Sequence, residues 1–332
     1  MAVYTEVSDE DLIKFIANYD IGEVVSFKGI AEGVENTNYL LQTITTDAAA
    51  PHSYILTLYE KRVQPGDLPY FLGLMDHLAT NGISCPTPIH GRDGASLREL
   101  AGRPAAIVSF LAGMWLKKST PAHCAELGGA IARMHEAGRG YDGHRTNSMS
   151  IASWKTLIAQ TSDKADTVVL GLAGVIDQEF RYTAARWPND LPSGVIHADL
   201  FPDNVFFLGD RLSGLIDFYF ACNDALAYDL AICINAWCFE PDGSLNVNKA
   251  SALLRGYAAV RPLTRQEFDA LPLLARGSAL RFLLTRLYDW INHDAAAYVQ
   301  PKDPTHFLDR LQFHQQVDGP VAYGINFEDV SG

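Results

Sequence analysis

The sequence predicts an α+β chain of two lobes, a small antiparallel sheet followed by a larger and mainly helical body. Three observations carry that expectation. Apolar residues fall into strand-like runs between residues 24 and 59, the spacing turns mostly helical from residue 121 onward, and a short connector at 109–113 separates the two regimes. The 332 residues, 48% of them hydrophobic and 20% charged, are enough to bury cores in both bodies. The expected organisation is an N-terminal lobe over 1–108, a hinge over 109–113 and a C-terminal lobe over 114–332.

Taken in order, Ser8 ahead of Asp9, Glu10 and Asp11 reads as an N-cap with acids in the first turn, followed by the amphipathic set Leu12, Ile13, Phe15 and Ile16. Residues 24–27, 39–43 and 54–59 are β-branched or aromatic runs parted by turn-rich segments, the pattern of an antiparallel meander. Between the first two lies a glycine-bearing turn with Gly29, Gly33, Asn36, Thr37 and Asn38. A helix is expected from Leu68 to Asn81, stopped by Gly82, with further strand material at 86–89 and 104–108. In the second lobe Thr120 caps a helix through Leu127, Ile131, Ala132 and Met134, and Thr264 with Glu267 forms a capping box. Only residues 195–217 interrupt the helical pattern with strand-like runs.

A net charge of −13 disfavours nucleic acid or an anionic membrane as partner, since both attract clustered Lys and Arg. Residues 1–6 show no basic stretch leading into an apolar one, and apolar runs fall short of the roughly 18 residues that span a bilayer. A cytoplasmic protein acting on small molecules is expected. The cysteines at 85, 124, 222, 233 and 238 are odd in number, with no Cys-x-x-Cys and no His at zinc-site spacing, and read as reduced core thiols.

The chemistry concentrates at His197-Ala198-Asp199-Leu200-Phe201-Pro202-Asp203-Asn204, a His-x-Asp-x-x-x-x-Asn loop trailed by Ile216-Asp217-Phe218. An apolar run delivers one acid and one amide, and a second apolar run delivers another acid. Phosphoryl transfer asks for that set: metal ions on phosphate oxygens, a positioned hydroxyl and a carboxylate to take its proton. The plain alternatives are an Asx turn at Asp199 and hairpin caps at Asn204 and Asp217. His197 is expected to hold the loop backbone, Asp203 to face solvent or a backbone amide, and Asp229 to cap a helix.

This motif with its Ile-Asp-Phe resembles the catalytic and metal-binding loops of the aminoglycoside phosphotransferase and choline kinase superfamily, which has the bilobal protein-kinase-like fold. Residues 54–62 and 281–290, with the His-Ala-Asp form of the loop, resemble its homoserine kinase branch. The resemblance implies ATP and Mg2+, with Asp199 as the base and Asn204 and Asp217 as the metal ligands. It also implies a nucleotide site from Gly29, Gly33, Asn36, Thr37, Asn38 and Lys61, with Ser109 and Leu111 passing the adenine. One departure stands out: Thr57 occupies the place of the strand lysine, and no Glu near Phe71 could pair with such a lysine. Losing both partners avoids an unpaired charge. Lys28, Lys61 and Arg62 are left as candidates to neutralise phosphate, with Lys61 and Arg62 equally readable as exposed strand ends.

For the substrate the resemblance implies L-homoserine, whose carboxylate calls for a cation and whose ammonium calls for an acid. Arg281, Arg286 and Asp289 fit those needs, with Arg286 and Asp289 on one helix face, while surface ion pairing is the alternative for each. Trp237, Tyr288 and Trp290 are either pocket walls or core. The other readings are a sister kinase acting on choline, ethanolamine, an aminoglycoside or another amino alcohol, and a catalytically inactive kinase-like binding module.

Overall fold

Ser8 opens helix α1 (Asp9–Ile16) as its sequence predicts, with Oγ accepting from the Asp11 N–H at 3.1 Å and Leu12, Phe15 and Ile16 buried. The computed structural model describes residues 4–30, 36–46, 48–60, 63–293 and 300–332. The chain divides into two units: Met1–Ala112 with Gly214–Tyr219, and Gly113–Ser213 with Phe220–Gly332.

The first unit is built on a five-stranded antiparallel sheet of β1 (Glu23–Gly29), β2 (Thr37–Ile44), β3 (His52–Leu58), β4 (Leu97–Leu100) and β5 (Arg103–Ser109), in the order β1-β2-β3-β5-β4. In β2 the burial alternates strictly, turning Thr37, Tyr39, Leu41 and Thr43 inward. Leu41, Leu56 and Leu58 are fully buried there, each contributing about 1.5–3 kcal/mol of apolar transfer. Strand β5 reads instead as a continuous buried run from Ala105 to Val108, which requires both of its faces to be covered. Helix α2 (Leu68–Thr80) stops where expected, with Gly82 at φ +82°.

Two details differ from the sequence reading. Residues 86–89 form no strand and make only a bridge from Pro88 to Val108, supported by the Ile89 N–H on the Ile107 carbonyl at 2.8 Å. Prolines 86 and 88 lack the donors a ladder needs. The edge strand beside β5 is β4, whose Arg98 and Glu99 hid its period.

The second unit holds α3 (Pro121–Gly138), α4 (Ile151–Val168), α5 (Leu172–Ala184), α6 (Leu226–Trp237), α7 (Val247–Ala258), α8 (Arg265–Ile291) and α9 (Thr305–Gln315). Both expected caps form: Thr120 opens α3, and Thr264 with Glu267 makes the capping box of α8. Helices α3 and α7 meet at glycines. An added Cβ would come within 2.0 Å of the Leu253 carbonyl oxygen at Gly128, and within 2.2 Å of the Ala125 oxygen at Gly256, so only glycine permits that approach.

Short strands complete the chain: β6 (Ser193–Ile196) pairs with β9 (Cys222–Ala225), and β7 (Val205–Leu208) pairs with β8 (Arg211–Leu215). The β7–β8 hairpin is the one the motif spacing predicts, whereas β9 was not foreseen. All cysteines are free and buried. No helix among the described residues is long and apolar enough to cross a membrane.

Candidate active site

The motif loop leaves β6 from the buried pair Val195 and Ile196 and turns at Ala198, a non-glycine residue at φ +63°. Such a conformation costs about 1–3 kcal/mol and persists only where surroundings over-determine it. Here they do. Asp229, fully buried in the first turn of α6, accepts the N–H groups of His197 and Ala198, both at 2.8 Å. The Ala198 carbonyl accepts from Arg281 Nη1 at 2.7 Å, and the Leu200 carbonyl accepts from Trp237 Nε1 at 2.7 Å. The loop is pinned on successive residues, and Asp199 is delivered from it half-buried.

Asp229 is itself supported in depth. His135 Nε2 lies 3.1 Å from its carboxylate, His135 Nδ1 lies 2.9 Å from the Tyr257 hydroxyl, and Arg261 Nη1 donates to that hydroxyl at 3.0 Å. Arg261 pairs in turn with Glu267 at 2.8 Å, the acid of the α8 capping box. Burial pushes the Asp229 carboxyl up, but the hydrogen bond and charge of His135 with those of His197 outweigh it and hold the acid below its ordinary range. The sequence reading made Asp229 a helix cap; the N-cap is Ala225, and the carboxylate serves the loop instead. His197 is fully buried.

Asn204 closes the loop from its far end, donating Nδ2 to the Asp199 carbonyl at 2.8 Å and to Oδ2 at 3.2 Å. Those bonds fix the amide so that its carbonyl oxygen is turned away from Asp199, a hard neutral oxygen of the type Mg2+ takes. Asp217 belongs to the other unit and also sits at positive φ, +65°, straight after β8. Its charge contributes to raising the neighbouring phenols Tyr59 and Tyr219, after burial, the latter to about 12. Taken singly, Asn204 and Asp217 each offer a hard oxygen donor of the kind Mg2+ takes, an amide oxygen on the pinned loop and a carboxylate at a positive-φ residue. Asp203 pairs with Lys302 at 3.2 Å outside this set.

The nucleotide residues expected in the first unit are placed as follows. Gly29 ends β1 opposite Tyr39, while Gly33, Lys61 and Arg62 lie outside the described residues. The Asn36 Oδ1 accepts the Glu60 N–H at 3.2 Å, Thr37 Oγ1 donates to Glu60 at 2.8 Å, and Asn38 Oδ1 accepts from Thr57 at 2.8 Å. Asn36 and Thr37 are buried, so these side chains tie the turn to the sheet. Thr57, standing where a lysine was looked for, is spent on Asn38. Lys28 is exposed on β1. Ser109 closes β5 by exchanging bonds with Thr87, and the Leu111 backbone has no hydrogen-bond partner among the described residues.

Of the expected substrate residues, Arg281 is 2% exposed and committed to Ala198, with its guanidinium 4.4 Å from the Phe282 ring centroid. Arg286 is half-buried, donates to the Asp303 carbonyl at 3.2 Å and lies 4.5 Å over the Phe307 ring. Burial lowers it to about 10, against the opposing charges of Asp203, Asp303 and Asp199. Asp289 is half-buried on α8, three residues beyond Arg286. Trp237 is buried as a loop anchor, whereas Tyr288 and Trp290 are 37% and 42% exposed. The supports that sequence reasoning missed are His135 and Tyr257, while Trp237, read as pocket wall or core, is core. Asp229 carried a signal, an acid inside the wholly buried run 226–235, where a charge must find partners.

A sequence model described as the phosphotransferase enzyme family matches residues 26–263. A protein of Paramagnetospirillum magneticum named homoserine kinase is 60% identical over 331 residues, covering 98% of this chain and 100% of its own length. A Bradyrhizobium protein of the same name is 60% identical over 325 residues, covering 98% and 99%. Among solved structures, amicoumacin kinase in complex with AMP-PNP, Ca2+ and its ligand superposes at a TM-score of 0.69 with 16% identity, covering 98% of each chain. Choline kinase from Cryptosporidium parvum gives 0.65 with 14% identity, over 93% and 95%. These neighbours share the kinase-like fold. With its motif loop in place and nearly three quarters of its length matched, the chain belongs to the phosphotransferase enzyme family.

Proposed function

We propose that the chain is a homoserine kinase, moving the γ-phosphoryl group of ATP to the side-chain hydroxyl of L-homoserine in threonine biosynthesis. The near full-length likeness to proteins named homoserine kinase carries the substrate. The pinned loop supports the mechanism. Asp199 accepts the hydroxyl proton as the substrate oxygen bonds to phosphorus and the bond to the ADP oxygen breaks, giving O-phospho-L-homoserine and ADP. Asn204 and Asp217 would hold Mg2+, which would neutralise phosphate oxygens when bound. Asn204 has a second task, holding Asp199 through its Nδ2.

The open backbone of Leu111 suits an adenine edge, and Ser109 fixes the strand end that leads to it. With Thr57 and Asn38 bonded to each other, phosphate charge falls to the metal and to Lys28 or Lys61. We assign Arg286 to the substrate carboxylate and Asp289 to its ammonium, and we read Arg281 as the residue that fixes Ala198. Five buried free thiols suit the cytoplasm.

The test is ADP release with Mg-ATP and L-homoserine, choline, ethanolamine, L-serine or an aminoglycoside at matched concentrations. Turnover favouring L-homoserine and abolished in a folded Asp199→Asn variant is expected. Preference for another alcohol discards the substrate, and an active Asp199→Asn discards the base.

A further inference from the structure

Phe201, two residues beyond Asp199, begins an aromatic cluster with Phe282 and Phe307, its ring centroids 4.8 and 6.2 Å from theirs, while Phe282 and Phe307 lie 5.2 Å apart. Arg286 and Arg310 both stack on Phe307, with guanidinium carbons 4.5 and 4.4 Å from its centroid. Arg310 also lies 5.5 Å over Phe239. Among the described residues neither arginine forms an ion pair with a carboxylate. Of the nearby acids, Asp203 pairs with Lys302, Asp303 accepts from the Thr305 N–H and hydroxyl at 2.8 and 2.7 Å, Asp199 accepts from Asn204 at 3.2 Å, and the exposed Asp309 acts on Arg310 through its charge without an ion pair.

Two half-buried cations near one ring repel each other and have lost hydration, an arrangement that an anion between them would relieve. The geometry points to Arg310 as the second arm of a clamp that, with Arg286, grips the α-carboxylate of the substrate and makes Arg310 a specificity-determining residue. Burial lowers Arg310 to about 10, with Arg286 adding to the effect, so both arms stay charged at neutral pH. Asp199 acts on Arg286 through its charge, and Phe201 of the aromatic cluster follows Asp199 by two residues. This inference rests on the homoserine reading and adds the group that tells an amino acid from an amino alcohol.

The test compares L-homoserine with 3-amino-1-propanol, the same hydroxyl and ammonium without the carboxylate, in the unaltered enzyme, Arg310→Met and Arg310→Lys. Arg310→Met should raise KM for L-homoserine about 10- to 100-fold, the span expected for losing one charge-assisted contact. Its KM for ATP and its kcat/KM for 3-amino-1-propanol should stay unchanged, and Arg310→Lys should fall between. Equal losses on both alcohols, or a raised KM for ATP, overturn the clamp while leaving the kinase. An unaltered enzyme that ignores L-homoserine overturns the functional reading and the clamp with it.

Discussion

The loop that carries Asp199 and the arginine face beside it are built on opposite rules. Behind the loop, each polar group of Asp229, His135 and Tyr257 that touches the next is satisfied, and the backbone of Ala198 is held from both sides. On the face, Arg286 and Arg310 rest on aromatic rings without a carboxylate partner among the described residues. Geometry demands completed bonds, because a base displaced by a fraction of an ångström loses rate. Recognition of an anion demands the reverse, since a cation already paired within the protein has less to offer a ligand.

The comparison breaks most sharply at Asp199. Asp199→Asn should lower kcat about 10²- to 10⁴-fold, the usual worth of a general base, with little change in melting temperature. A parallel collapse in melting temperature would mean that the side chain serves the fold. Next comes Asp229→Asn, which leaves buried donors of His135, His197 and Ala198 without a charged acceptor and should cost about 3–5 kcal/mol in urea unfolding. Its kcat should fall too, as the Ala198 turn relaxes. Unchanged stability and kcat would show that the turn needs no such support.

Helix α9 carries Arg310 and, one turn further along the same face, the buried His314. His314 bonds Asn235 at 3.0 Å and Tyr323 at 3.0 Å, and burial, then the charges of Arg310 and Arg276, drives it from the ordinary 6.5 down to about 3. The unfolded chain therefore binds this proton at a higher pH than the folded one. Its stabilising effect is full above about pH 6.5 and is lost as pH falls toward 3, by on the order of a few kcal/mol. Melting temperature followed from pH 7.5 to 5 should drop more steeply for the natural chain than for His314→Asn. Superimposed slopes would refute this. The smallest effect is Arg286→Met, which should raise KM for L-homoserine about tenfold or more with melting temperature held. A loss of stability as large as that of Asp229→Asn would place Arg286 with the loop supports.

Local signals made much of this legible in the sequence. Ser8, Thr120 and Thr264 each cap the helix they announced, because a cap is decided within four residues. The β7–β8 hairpin followed from the motif spacing, and the arrangement of the meander from its period. Strand β9 and the bonds to Ala198 were hidden because their partners come from far along the chain: Cys222 for Ile196, Asp229 and Arg281 for Ala198. Arg281 shows the limit well. Its type and its place near Arg286 said cation, and only packing revealed that its charge is used inward.

The segment Gly214–Tyr219, which brings Asp217, is grouped with the first unit although the rest of that unit ends at Ala112. The Leu215 N–H bonds the Ser84 carbonyl at 3.0 Å, and the Tyr219 ring meets Tyr59 and Phe71 edge-on. On the ribosome this unit therefore stays unfinished until Tyr219 has emerged, by which time α3, α4 and α5 are already synthesised. A fragment cut after the connector would lack those contacts and expose the apolar faces of Tyr59 and Phe71. Chain order thus couples completion of one unit to synthesis of the other.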